Sequence, residues 1–124
     1  FYDHTAMITA VGPVYVADSM AAMKKFVFED KKVSMPELLE VLKNDWAGRE
    51  VLRQEFINKA PKFGNDEDFV DLIARDVFHK SQEEVAKHTD VHGSPLTLDG
   101  SIAGAYWLWG RKVGATPDGR KSNK

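Results

Sequence analysis

The sequence predicts a mainly α chain, with about four helices and one or two short strands, and three observations lead there. Apolar residues recur every three to four positions over long stretches, most clearly at Leu38, Leu39, Leu42 and Trp46. Helix-start chemistry precedes two such stretches, at Ser34-Met35-Pro36-Glu37 and at Asn65-Asp66-Glu67-Asp68. Strand signals are sparse: residues 1–15 alternate only loosely between polar and apolar, and 101–110, small and then aromatic, shows no helical period.

Taken in order, residues 1–15 read as an extended lead-in that ends at a Gly12-Pro13 break. Residues 16–29 read as a helix, with Ala17, Met20, Ala21, Lys24 and Val27 or Phe28 at helical spacing. Residues 34–46 form the clearest helix. Ser34 and Glu37 fit a capping box, and Pro36 falls in the first turn, where a missing N–H costs nothing. A shorter helix, 49–58, carries Leu52 and Phe56. The loop 59–66 is set by Pro61 and Gly64, and Asn65 or Asp66 is placed to cap the helix after it. Phe69, Val70, Ile73, Ala74 and Val77 continue the stripe, and Val85 would extend it to about His88. Residues 89–100 read as turn. The segment 101–110 reads as a strand or a buried extended piece, and the rest as turn and tail.

With 124 residues, 43% hydrophobic and 29% charged, the chain fits one domain or a piece of one. A compact fold of this length buries roughly two-thirds of its unfolded surface, so neither disulfide nor metal is needed for a core. A net charge of −2 gives no nucleic-acid footprint. No apolar run approaches the roughly 18 residues that span a bilayer, and no secretion signal opens the chain. The absence of cysteine removes thiolate nucleophiles and cysteine-ligated metals. The first residue is Phe1, which points to processing or to excision from a longer polypeptide.

Each candidate for chemistry has a plainer reading. The acids at 65–68 lack a calcium-loop pattern, since Gly64 precedes them, and they read as helix N-terminal charge. His88 and His92 are four apart, but Gly93 and Pro95 follow and no third ligand is visible. His79 reads as solvent-facing, and His4 has no context. Asp18 and Ser19 read as a helix-start cap ahead of a catalytic pair. Tyr106, Trp107 and Trp109 crowd one segment. If it is extended, one face packs and the other lines a cavity. In Ala115-Thr116-Pro117-Asp118-Gly119, Pro117 and Asp118 take the central turn positions and Gly119 the left-handed one. That aims Arg120 at a carboxylate or a carbonyl.

Three phrases in order, "VADSMAAMKKFVFEDKKVSMPELLEVL", "NKAPKFGNDEDFVD" and "GATPDGRK", resemble the late-middle part of the glycyl radical enzymes, the pyruvate formate-lyase superfamily. The resemblance runs from about residue 11 to residue 121. It implies that residues 1–124 belong to a ten-stranded α/β barrel, with no complete domain boundary inside. It also implies a backbone glycyl radical, installed by a radical S-adenosylmethionine activase, and a cysteine that passes the radical to a small-molecule substrate. This chain has neither that cysteine nor a radical glycine loop after the turn, so the resemblance makes it an internal fragment without catalytic residues or bound cofactor. Its partners are then the rest of the parent enzyme, the substrate and the activase. A homodimer in the cytoplasm of an anaerobe is implied, with no nucleic acid and no membrane.

Carried over residue by residue, the segment before the turn makes Tyr106, Trp107 and Trp109 substrate-cavity candidates. Pro61, Gly64, Asn65 and Asp66 become scaffold, as do Gly114, Pro117, Asp118 and Gly119, with Arg120 as an ion-pair partner. Among reaction types, radical elimination or dehydration is preferred. Succinate addition and C–C cleavage or decarboxylation stay open. So does a different class, a stand-alone helical interaction module.

Overall fold

The computed structural model describes residues 6–100 and 106–123. Gly12 and Pro13, a break by composition, are helix-start punctuation. Gly12 takes φ 82° just ahead of the helix, and Pro13 occupies its first turn, where φ near −65° is already helical. Helix α1 therefore runs Pro13–Met23, three residues earlier than the periodicity predicts. It continues as a π-helical stretch, Lys24–Glu29, in which Asp30 N–H reaches back to Lys25 O at 2.8 Å. The extra residue per turn changes which side chain faces inward: Phe26 is buried, whereas Phe28 is 63% exposed.

Helix α2, Met35–Lys43, begins as predicted, with Ser34 Oγ accepting the Glu37 N–H at 3.3 Å. The reciprocal half of the capping box differs. The Glu37 carboxylate instead accepts from Arg49, which holds it below the usual carboxylate range. The helix stops at Lys43 because Asp45 and Trp46 both adopt left-handed φ, 52° and 61°. Trp46 therefore leaves the helix and turns into the core, with its ring 5.3 Å from Phe56 in a tilted edge contact. Leu38 is buried and Leu42 partly so, but Leu39 is exposed. Helix α3, Glu50–Asn58, supplies Leu52 and Phe56 to that cluster.

Helix α4, Asp68–Val85, packs Val70 against Ala17 and Ala21 of α1. Those alanines are one helical turn apart on one face, so the two backbones approach closely. Asn65 and Asp66 do not cap α4. Glu67 occupies the capping position without a side-chain bond, while Asp66 has φ 57°. The helix ends at Val85, followed by a hydrogen-bonded turn to His88.

Strand β1, Met7–Ala10, pairs in parallel with β2, Thr97–Gly100, in the register Met7 to Thr97 through Ala10 to Gly100. Parallel partners need a long crossover, which α1 to α4 provide. β2 was hidden in a stretch that reads as turn, because Asp99 and Gly100 are poor strand formers. A side chain at Gly100 would crowd Phe78 Cε2, 3.1 Å from the Cβ position.

The last element corrects an expectation. Residues 106–110 are not extended but form α5, Tyr106–Gly110, while 101–105 lie outside the described residues. Among the described residues there are thus five α-helices, one π-helical stretch and a two-stranded sheet. None of these helices is long and apolar enough to cross a membrane.

Candidate functional site

Two features converge near the end of the chain: a rigid turn and a cleft. The turn is built around Asp118. Its Oδ1 accepts the Thr116 hydroxyl at 2.5 Å and the Arg120 N–H at 3.4 Å, while Gly119 N–H donates to Thr116 O at 3.0 Å. Gly119 is required here on two grounds. Its φ is 96°, and a Cβ would lie 2.4 Å from Ile57 Cγ1. Helix α3 holds the turn from beneath: Arg53 Nη1 donates to Gly119 O at 2.9 Å, and Lys62 Nζ, from the loop after α3, donates to Asp118 O at 3.2 Å.

The same Arg53 forks onto Glu50, whose carboxylate also meets Gln54 and Lys121. The hydrogen bonds from Arg53, then from Gln54, bring Glu50 down from the usual 4.5 to about 2. Ser122 N–H donates to Asp45 Oδ1 at 2.7 Å, which ties the residues after the turn to the α2–α3 link.

Arg120 is aimed as the turn predicts. Its described hydrogen bonds run to carbonyls, Gly110 O at 3.3 Å and Gly114 O at 2.8 Å. Gly110 O is the last carbonyl of α5 and Gly114 O lies in the turn beyond it, so this cation sits at the negative end of the short helix.

Between α1 and this assembly lies a cleft of about 800 Å3. Tyr15, Val16, Ser19, Met20 and Met23 of α1 form one side. Trp109 of α5, with Val113, Thr116, Pro117 and Arg120, forms the other. Most of these groups are apolar. The thioethers of Met20 and Met23 are soft and adaptable, and Trp109, 48% exposed, offers an aromatic face.

A family profile described as pyruvate formate lyase-like matches residues 1–110. The chain belongs to the pyruvate formate lyase-like family, the glycyl radical enzymes. It is 41% identical over 114 residues to an isethionate sulfite-lyase of Nitratidesulfovibrio vulgaris, covering 86% of this chain and 13% of that protein. Among solved structures, it matches the hydroxyproline dehydratase of Clostridioides difficile with a TM-score of 0.90 at 34% identity, covering 97% of this chain and 15% of that one. It matches the B12-independent glycerol dehydratase of Clostridium butyricum with a TM-score of 0.89 at 36% identity, covering 98% and 16%. The chain thus spans less than one-sixth of the length of each of these relatives.

Within this pyruvate formate lyase-like chain, the structure brings Trp109, Gly114, Pro117, Asp118, Gly119 and Arg120 together. The backbones of Tyr106 and Trp107 lie in α5, and the described side chains of that helix begin at Leu108. Pro61, Gly64, Asn65 and Asp66 form the loop before α4, on the side of α1 bearing Asp18. Asp18 and Ser19 are not a helix-start cap. They sit inside α1, where Asp18 Oδ1 accepts the Phe63 N–H of that loop at 2.8 Å. Ser19 faces the cleft. His88 lies beyond α4, 3.9 Å from Glu84, and His92 lies in the following turn, so the two share no helical face. Sequence reasoning missed the α1 side of the cleft. Its signal was present: Tyr15, Ser19 and Met23 are four apart, as are Val16 and Met20.

Proposed function

We propose that this chain is part of the catalytic barrel domain of a glycyl radical lyase of the eliminase or dehydratase type, a ten-stranded α/β barrel that encloses a small-molecule substrate. The observation that carries this reading is the match to an isethionate sulfite-lyase and to two dehydratases, each named for expelling a group from a small polar molecule. The chain has no cysteine. In this reading the thiol comes from other polypeptide of the parent enzyme, as does the radical-bearing glycine, and a radical S-adenosylmethionine activase would install the radical, in a cytoplasmic, anaerobic homodimer.

In this reading the chain's own residues shape and seal the site. Tyr106, Trp107 and Trp109 stand nearest the substrate cavity and contribute bulk that excludes water, as radical intermediates require. Arg120, clamped to the carbonyls of Gly110 and Gly114, fixes where α5 ends. The Asp118 turn, seated on Arg53, fixes Arg120.

The test is made on the full-length enzyme, prepared without oxygen together with its activase. An air-sensitive organic radical in the electron paramagnetic resonance spectrum is expected. With substrate, release of water or another leaving group should follow. A reading frame lacking the cysteine or the glycine loop, or an activated enzyme that joins its substrate to fumarate or releases carbon dioxide instead, refutes the proposal.

A further inference from the structure

We infer that Thr9 and Asp99, side by side on the sheet, bind adjacent hydroxyls of a neutral polyol substrate, and that Asp99 turns anionic substrates away. This rests on the barrel reading above and narrows its substrate class, since the names of the matched relatives range over a sulfonate, an imino acid and a triol. The first ground is the register. Paired residues of a sheet share a side, and sides alternate along each strand. Met7 with Thr97, and Thr9 with Asp99, therefore point one way, while Ile8 with Leu98, and Ala10 with Gly100, point the other. The second side is the helix side: α4 packs on β2, and the Cβ position of Gly100 lies 3.1 Å from Phe78 Cε2. In an α/β barrel the helices lie outside, and the opposite face of each strand looks inward. The inner face is thus the one with Thr9 and Asp99. Each is third of four in its strand, near the carboxyl end, where parallel α/β sheets bind their ligands.

The second ground is chemistry. Barrel interiors are ordinarily filled by Val, Ile and Leu. Here the inner face carries Thr9, Thr97 and Asp99, two hydroxyls and a carboxylate. A carboxylate shut away from water needs donors. Among the described residues, no hydrogen bond or ion pair engages the Asp99 carboxylate or the Thr9 hydroxyl. Asp99 can only accept, and a polyol hydroxyl donates to it. Thr9 can donate or accept, so it takes the next hydroxyl whichever way that is turned. Neighbouring strands lie about 4.8 Å apart, a span that two adjacent hydroxyls of one small molecule can bridge. A sulfonate or carboxylate in the same place would meet like charge, and such a repulsive element rejects a competitor as effectively as a contact selects a substrate.

Isothermal titration of the full-length enzyme before activation tests this, because binding needs no radical. The probes are glycerol, 1,2-propanediol and isethionate. At least one of the two polyols should bind, and bind more tightly than isethionate. Asp99→Asn keeps the shape and removes the charge, and it should weaken polyol binding at least about tenfold while the melting temperature stays where it was. Thr9→Val should weaken it about threefold or more, and Thr9→Ser should restore it. Isethionate bound more tightly than both polyols overturns the inference, as does an enzyme that binds neither polyol. Polyol affinity unchanged in Asp99→Asn or in Thr9→Val also overturns it. A melting temperature that falls with Asp99→Asn does so too, in favour of an ion pair that holds the parent enzyme together. Failure of the radical-lyase reading would appear separately, as the missing radical signal after activation, with the titrations still readable.

Discussion

Replacing Gly119 with alanine tests the central joint of this structure. The added Cβ would sit 2.4 Å from Ile57 Cγ1 and 3.2 Å from Ile57 Cδ1, with Arg53 O at 3.5 Å, so it meets both a side chain and backbone of α3. The backbone there has φ 96°, a region that alanine enters only under strain. Backbone strain of about 1–3 kcal/mol and overpacking of about 1–3 kcal/mol sum to roughly 2–6 kcal/mol. That is a large share of the roughly 5–15 kcal/mol that holds a typical domain folded. Relief by shifting the turn would sacrifice the Arg53 to Gly119 bond and the aim of Arg120, so the cost cannot be moved cheaply. Urea unfolding followed by the emission of buried Trp46 measures it. Gly119→Ala should lower the midpoint by about 1 M or more. In an Ile57→Ala background the same change should cost less, because the methylene it strikes is gone and only the backbone term remains. An unchanged midpoint, or an equal cost in both backgrounds, would refute the packing argument.

Three further outcomes follow from individual contacts. Ser34→Ala should lower stability by about 1 kcal/mol, since it leaves the Glu37 N–H without its side-chain acceptor, and far-ultraviolet dichroism of thermal unfolding reads the loss. Glu50 has a folded pKa of about 2 against an ordinary 4.5, so its contribution is complete above 4.5 and vanishes as pH falls through 2. Glu50→Gln should therefore flatten the stability profile between those values, and a profile as steep as the unaltered protein's would sink the assignment. Trp46 is buried, and its Nε1–H meets no hydrogen-bond acceptor among the described residues. Trp46→Phe removes that orphan donor along with some volume and should come out within about 1–2 kcal/mol of neutral, whereas Trp46→Ala should cost roughly 3–5 kcal/mol by thermal melt.

Local signals in the sequence carried much of this fold, and long-range ones carried little. Ser34 with Pro36, and the Leu52–Phe56 and Val70–Ile73 spacings, placed α2, α3 and α4 within a few residues. Elements failed where a distant partner decides. β2 exists because β1 offers it a ladder, though Asp99 and Gly100 argue against a strand. α5 forms although Tyr106 and its neighbours favour extension, and Arg120, ten residues on, meets its last carbonyl. Asp18 looked like a cap because its loop partner, Phe63, is 45 residues away and invisible to periodicity. The terminal turn was legible from Pro117, Asp118 and Gly119 alone. Its seat on Ile57 and Arg53 was not.

Exposed apolar surface ties the fold to the proposed setting. Parallel strands are ordinarily buried on both faces, and a two-stranded sheet is marginal by itself. β1 is nonetheless open, with Met7 and Ile8 exposed, and it leads directly through Gly12 into the helix whose apolar faces are also open. Exposed apolar side chains recur along this stretch, at Met7, Ile8, Val11, Val14, Tyr15, Val16 and Met20, and apolar patches mark surfaces made to be covered. Ion-paired side chains gather in the Glu50, Arg53 and Lys121 group and along α2 and α4. A free-standing module would have reason to place charge on the face that meets water. On the open parts of β1 and α1 the exposed side chains are mostly apolar instead, which is the arrangement expected of a surface that other polypeptide covers.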